Sequence, residues 1–386
     1  MKILHTADWH VGKTVRGHSR ADEHRAVLDE IVALAQSREV DLVIVAGDLF
    51  DTASPTPESE QVVYQALLGL RATGAQVVVI AGNHDNPHRL LAVAPLFGEL
   101  AVRVVAQPTA ADKGGVIDVE GADGTTARLA LLPFVSQRGI VRADALMSDT
   151  GADHALAYAD RYRRLSELLT SRFVADHVNV VVAHAFVGGG VLGGGERSAH
   201  TIMDYFVPAT VFSAAAQYVA LGHLHRAQAI PGPTQIHYSG SPLAMDFSEE
   251  RDAKVVNLVD VEPGRPAKVE PVALTAGRRL RTMRGTLAEL AARASEVGES
   301  DYVRAIVIES SRAGLADEVR AAVPGVVDVV IESPERQVTA ADRQRRAGRS
   351  PHELFAEFCA QRGHDDPRVQ ALFAELLEEC GATSAH

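Results

Sequence analysis

Two stretches, DLVIVAGDLFD and QVVVIAGNHD, each run through five consecutive apolar residues and then turn abruptly polar. A strand with one wet face alternates apolar and polar residues, whereas a strand that is apolar throughout is covered on both faces. These two therefore demand layers above and below them. Helix-like segments between the strands can supply those layers. ADEHRAVLDEIVALAQSR spaces its apolar residues at helical intervals, and PESEQVVYQALLGLRATG opens with Pro and closes with Gly. Further short strand patterns are KILHT, VRVVAQ, RLALLPF, VNVVVAHA and YVALGHLH, and GADHALAYADRYRRLSELLTSRF reads as another helix. The alternation runs through the first half of the chain, and the expected class is α/β.

The polar residues that end these strands are of one chemical kind. ADWH contributes Asp8 and His10, AGDLFD contributes Asp48 and Asp51, and AGNHD contributes Asn83, His84 and Asp85; VVAHA ends on His184 and LGHLH on His223 and His225. Parallel strands gather their C-terminal ends on one edge of the sheet, where ligands bind. Asp-x-His and His-x-His place both side chains on one side of an extended segment. Carboxylate, amide oxygen and imidazole together suit Mn²⁺, Fe²⁺ or Zn²⁺ better than Ca²⁺. Asp8, His10, Asp48, Asn83, His184, His223 and His225 are seven donors, too many for one tetrahedral ion. They suit two ions about 3.5–4 Å apart with one bridging carboxylate, a pair that acidifies a shared water and clamps both oxygens of a phosphate ester.

The ordered set Asp-x-His, Gly-Asp-x-x-Asp, Gly-Asn-His-Asp, His and Gly-His-x-His resembles the calcineurin-like metallophosphoesterase superfamily over residues 1–260. Within it, ILHTADWHVGK, VIVAGDLFDTASP, AGNHDNPHRL, YSGSPL and the later SPHELFAEF resemble the bacterial SbcD family of DNA nuclease subunits. The resemblance implies a two-sheet sandwich flanked by helices, with a small α/β capping domain and a C-terminal helical tail. It assigns Asp8, His10, Asp48 and His225 to a first metal, and Asp48, Asn83, His184 and His223 to a second, Asp48 bridging. His84 would stabilise the transition state or protonate the leaving oxygen, Asp85 would orient its imidazole, and Asp51 would support the cage. The implied ions are two divalent metals, Mn²⁺ first and Mg²⁺ second. The implied activity is 3′-to-5′ exonuclease on duplex ends and endonuclease on hairpin or single-stranded DNA, in repair, recombination and replication. The implied partners are DNA and an SbcC-type coiled-coil ATPase, with a homodimer of this chain inside a heterotetramer. A small-molecule phosphatase or cyclic-nucleotide phosphodiesterase of the same fold, and a subunit with a vestigial site, stand as rivals.

The boundaries expected are a nuclease domain over 1–262, ended by the Pro/Gly-bearing EPGRPAK; a capping domain over 263–335; and a linker with two amphipathic helices over 336–386. Leu354, Phe355, Phe358, Leu372, Phe373, Leu376 and Leu377 would dock the partner. Lys13 and Arg16, just after the first donor pair, are candidates for touching a DNA backbone. Arg343, Arg345, Arg346 and Arg349 read as a solvated linker. His5, His18, His24, His88 and His237 read as ordinary core or surface residues, with His18 and His88 also able to line a substrate path. The Gly-rich HAFVGGGVLGGGERS lacks the Gly-Lys-Ser/Thr ending of a phosphate loop and reads as a loop at the metal site. A net charge of −12 argues against binding nucleic acid by charge alone, although two divalent ions would reverse the sign locally. Two cysteines, no apolar run of membrane-spanning length and no leader pattern place the chain in the cytoplasm, on the nucleoid when bound to DNA.

Overall fold

The computed structural model describes residues 1–136, 154–194, 196, 205–333, 351–361 and 366–373. Two six-stranded sheets form its centre. The first contains β1 (Lys2–Thr6), β2 (Leu42–Ala46), β3 (Gln76–Ile80) and β4 (Val102–Val105), all parallel. The second contains β5 (Val116–Glu120), β6 (Thr126–Leu132), β7 (Val178–His184), β8 (Tyr218–Gly222), β9 (Gln228–Ile230) and β10 (Gln235–Tyr238). In this sheet β6, β7, β8 and β10 are parallel, and β5 and β9 are antiparallel edges.

The apolar runs acquire their reason here. In β2, Leu42, Ile44 and Ala46 enter the core between the sheets with Leu129, Leu131, Val180 and Val182. Val43 and Val45 enter the outer core with Val27, Ile31, Val63 and Leu67. These last four lie on α1 (Ala21–Ser37) and α2 (Pro57–Ala72). Each such side chain contributes about 1.5–3 kcal/mol by leaving water. α3 (Pro87–Glu99) begins directly after the GNHD motif: Pro87 takes the first position and the Asn86 side chain accepts from the His88 and Arg89 N–H groups. α4 (His154–Thr170) covers the second sheet's outer face, where Tyr158, Tyr162 and Leu169 are buried.

The expected boundary at residue 262 is wrong. β11 (Val255–Asp260) pairs antiparallel with β1, and β12 (Lys268–Ala273) pairs antiparallel with β11, so both complete the first sheet. The Pro and Gly of EPGRPAK make the tight turn of that hairpin, which in sequence looks like a joint. The capping module begins after it. Three parallel strands, β13 (Leu280–Gly285), β14 (Tyr302–Val307) and β15 (Val326–Ile331), carry α5 (Leu287–Ala292) and α6 (Leu315–Ala322). Met283, Leu290, Val303, Val307, Leu315 and Val319 fill their core.

The module is fastened to the two-sheet domain by apolar contact among Val15, Phe247, Leu280 and Tyr302. An ion pair reinforces it: Arg16 Nε lies 2.8 Å from Asp328 Oδ2, an oxygen that the module's own Arg304 Nε also meets at 2.9 Å. In the tail, α7 (Pro351–Gln361) and the helical residues 367–373 meet through Phe355 and Phe373, stacked 3.9 Å apart at 9°. Phe358 and Leu372 are about half exposed. Arg343, Arg345, Arg346, Arg349, Leu376, Leu377, Cys380 and the Leu354 side chain lie outside the described residues. No helix among those described is long and apolar enough to cross a membrane.

Candidate metal centre

The parallel order of β1, β2 and β3 sets Asp8, Asp48 and Asn83 just beyond the ends of three strands in one sheet, and β7 and β8 bring His184, His223 and His225 from the other. Four donors sit on left-handed backbone: φ is 53° at Asp8, 46° at His10, 53° at Asp48 and 107° at His223. Such conformations cost side-chain-bearing residues about 1–3 kcal/mol each and persist where the surroundings enforce them. Glycines beside the donor loops permit the crowding. Gly47 is itself left-handed at φ +94°, and a Cβ there would lie 2.3 Å from His184 Nδ1. A Cβ on Gly82 would lie 2.1 Å from Asp48 Oδ1 and 2.4 Å from Asp48 N. Gly82→Ala is expected to lose about 1–3 kcal/mol of stability through overpacking and to bind ions more weakly. A thermal melt and an ion titration both matching the unaltered protein would contradict it.

All seven donors are buried or half-buried and converge in two groups. In the first, His10 Nε2 lies 3.0 Å from His225 Nε2 and 3.6 Å from Asp48 Oδ2. In the second, Asn83 Oδ1 lies 2.9 Å from His184 Nε2 and 2.8 Å from His223 Nδ1, and Asp48 Oδ2 lies 3.4 Å from His184 Nε2. One oxygen, Asp48 Oδ2, therefore faces both groups. Asp8 joins them through the His223 N–H, which donates to its Oδ1 at 2.9 Å, and its carboxylate lies with that of Asp48 and the His184 ring within a 4.8 Å set. Bonds of about 2.1 Å to a divalent ion put neighbouring donors about 3–3.5 Å apart, the spacing found here.

His84 lies close to the first group: its ring, that of His10 and the Asp48 carboxylate form a second 4.8 Å set. The role given to Asp85 does not survive. Its carboxylate accepts the N–H groups of Gly82, Leu49 and Phe50 at 2.9, 3.3 and 3.1 Å, pinning the loop after β2 to the loop after β3. The His84 ring is instead held at Nδ1 by the Asp51 carbonyl, 2.7 Å away. The Asp51 carboxylate lies 3.7 Å from His10 Nδ1 and 3.2 Å from Lys13 Nζ. Lys13 and Arg16 are thus both ion-paired, to Asp51 and Asp328, while lining a cleft of about 220 Å³ with Gly194 and Met245. Sequence reading missed Glu249 altogether. It is fully buried, with Oε1 3.1 Å from His225 Nδ1.

The electrostatics of the donors fit bound cations. Burial pushes the Asp8 carboxyl up to about 7 despite the nearby His184 and His225. Burial alone would lower His184, yet the Asp48 and Asp8 carboxylates hold it up to about 9. Burial would likewise raise Asp48, but the surrounding imidazoles hold it well below the usual carboxylate range. The carboxylates thus draw positive charge from a protonated histidine. Bound divalent ions would supply that charge in the proton's place, so their binding is expected to release protons and to strengthen as pH rises.

Two further histidines, His5 and His24, are buried. Burial lowers His5 to about 3, with its Nδ1 2.9 Å from the Tyr218 hydroxyl, and burial lowers His24 to about 4, with its Nδ1 on the Arg20 carbonyl. His18 sits beside the Tyr302 ring at the capping seam.

The chain has relatives among known proteins. The family model described as calcineurin-like phosphoesterase matches residues 1–227. A second, described as Type 5 capsule protein repressor C-terminal domain, matches residues 276–363 and so begins where the first sheet has just ended. The chain is 41% identical over 284 residues to the SbcD subunit of the SbcCD nuclease from Bacillus subtilis (strain 168), covering 72% of this chain and 71% of that one. It is 33% identical over 300 residues to the protein of the same name from Escherichia coli (strain K12), covering 76% and 73%. With the one from Rhodobacter capsulatus it shares 34% over 282 residues, covering 70% and 69%.

Proposed function

Because the chain belongs to the calcineurin-like phosphoesterases, and within them to the SbcD family of nuclease subunits, we propose that it hydrolyses DNA phosphodiesters at the centre built around Asp48. The observation that carries this reading is the single oxygen, Asp48 Oδ2, shared between the His10/His225 and Asn83/His184/His223 groups. Two divalent ions, Mn²⁺ in the cell with Mg²⁺ as a substitute, supply the charge that acidifies an attacking water and offsets the charge growing on the phosphate. Asp8, His10, Asp48 and His225 would hold the first, and Asp48, Asn83, His184 and His223 the second.

The other residues position and exclude. The Asp51 carbonyl orients His84, whose other ring nitrogen, Nε2, meets the phosphate or the departing oxygen. Asp85 locks two donor loops together from below. Lys13 and Arg16, lining the adjacent cleft, exchange their carboxylate partners for DNA phosphates as the duplex end approaches. Substrates are duplex ends, cut 3′-to-5′, and hairpin or single-stranded DNA, cut internally, in repair, recombination and replication. Phe358 and Leu372, about half exposed on the tail helices, dock an SbcC-type ATPase, and two copies of the chain serve one complex in the cytoplasm.

The test is digestion of end-labelled duplex and hairpin DNA with Mn²⁺, with and without the ATPase. Cleavage that vanishes on adding a chelator and returns with Mn²⁺ is the expected result. Cleavage of small phosphate esters or cyclic nucleotides with both DNAs left intact would overturn the nuclease reading in favour of the phosphatase one.

A further inference from the structure

We propose that Glu249 is a positioning residue for the first ion, and that the capping module acts on that ion through it. The Glu249 carboxylate is fully buried and bonded on both oxygens. Oε1 faces His225 Nδ1 at 3.1 Å; Oε2 accepts from Lys254 Nζ at 2.6 Å and from the Met245 N–H at 3.0 Å. A carboxylate can only accept, so the His225 proton resides on Nδ1 and Nε2 keeps its lone pair. That Nε2 is the atom lying 3.0 Å from His10 Nε2. Lys254 closes the ring by donating also to the His225 carbonyl at 3.2 Å and to Ser241 Oγ at 3.0 Å. The imidazole's tautomer and its tilt are thereby both set by groups that never touch the ion.

The turn carrying Glu249, Phe247–Glu249, is gripped by the capping module. Phe247 is buried with Leu280 and Tyr302, the Arg304 guanidinium lies 4.4 Å from the centre of its ring, and Arg304 Nη2 lies 3.9 Å from Asp246 Oδ2. Any shift of the module against the nuclease domain therefore moves the turn, and the turn holds the ligand. A carboxylate serving only as a buried ion pair for Lys254 would need no bond to His225.

The inference rests on the dimetal reading, and Mn²⁺ titration calorimetry of the full chain separates the two. The unaltered protein is expected to bind two ions. Glu249→Gln removes the charge at constant size and is expected to weaken one ion about 10–100-fold while leaving the other unchanged. Glu249→Asp, shorter by one methylene, is expected to weaken the same ion and serves should the Gln variant fail to fold. Arg304→Ala, altered only in the module, is expected to weaken that ion too, by a smaller factor. Two ions of native affinity in folded Glu249 variants would overturn the positioning role, even if the apo protein melted earlier. Native affinity in Arg304→Ala would overturn the link to the module, and an unaltered chain that binds no ion would overturn the dimetal reading and this inference with it.

Discussion

Replacing His84 by glutamine is expected to slow DNA cleavage by roughly 10²–10⁴-fold, the range for loss of a positioned proton donor, while both ions remain bound. The substitution keeps a polar group of similar reach but removes the ring. The Asp51 carbonyl, 2.7 Å from His84 Nδ1, can only accept, so that nitrogen carries a proton and Nε2 is the one that acts. Its neighbourhood admits two uses. The ring lies 4.5 Å, centre to centre, from that of His10 and within the set that includes Asp48, close enough to ligate the first ion. Yet His10, Asp48 and His225 already stand together there, with Asp8 as the fourth ligand proposed, and the N–H of His84 itself donates to Asp48 Oδ1 at 2.7 Å, binding that loop to Asp48. Backbone thus does the structural work at this position, and the ring's place beside the first donor group suits contact with the substrate. Counting bound Mn²⁺ beside measuring cleavage decides between the uses. One ion in the variant would make His84 a ligand, and two ions with undiminished cleavage would leave it with no role in the chemistry.

The layers were legible because strands covered on both faces leave a pattern that little else produces. LVIVA sends alternate residues to two different cores, and neither tolerates a polar side chain. The convergence of the seven side chains was legible for a related reason: a polar residue at the end of such a strand is costly unless it has a task, and a parallel sheet delivers these ends to one edge. What stayed hidden is set by contacts rather than by pattern. Asp85 looks like a partner for the adjacent His84, but an adjacent side chain need not point the same way, and three backbone N–H groups claim its carboxylate. Glu249 lies 24 residues from His225 in a single 3₁₀ turn, with neither periodicity nor a flanking motif to single it out. The Pro/Gly turn between β11 and β12 looked like a linker because turn chemistry is the same whether it joins two strands or two domains.

Asp48→Asn is expected to be the more damaging change, abolishing cleavage by at least about 10⁴-fold, some 5.5 kcal/mol of barrier, and releasing at least one ion. The carboxylate oxygen Oδ2 faces both donor groups, at 3.4 Å from His184 Nε2 and 3.6 Å from His10 Nε2. The other oxygen, Oδ1, is occupied by the His84 N–H. An asparagine has one oxygen for these two tasks. If it keeps the bond to His84, its NH₂ points hydrogens into the place both ions need; if it turns round, two N–H groups face each other near Gly82, where a Cβ would already be only 2.1 Å from Oδ1. The lost negative charge also frees His184, held up to about 9 by Asp48 and Asp8 together, to give up its proton more readily. A neutral His184 is a competent ligand, so the remaining donors can still hold an ion weakly, and the expected stoichiometry is one or none. The His84 and Asp48 variants thus part company in a single pair of measurements, the first losing rate with its ions in place and the second losing ions and rate together. Two tightly bound ions in Asp48→Asn would rule out Asp48 as the bridge between them.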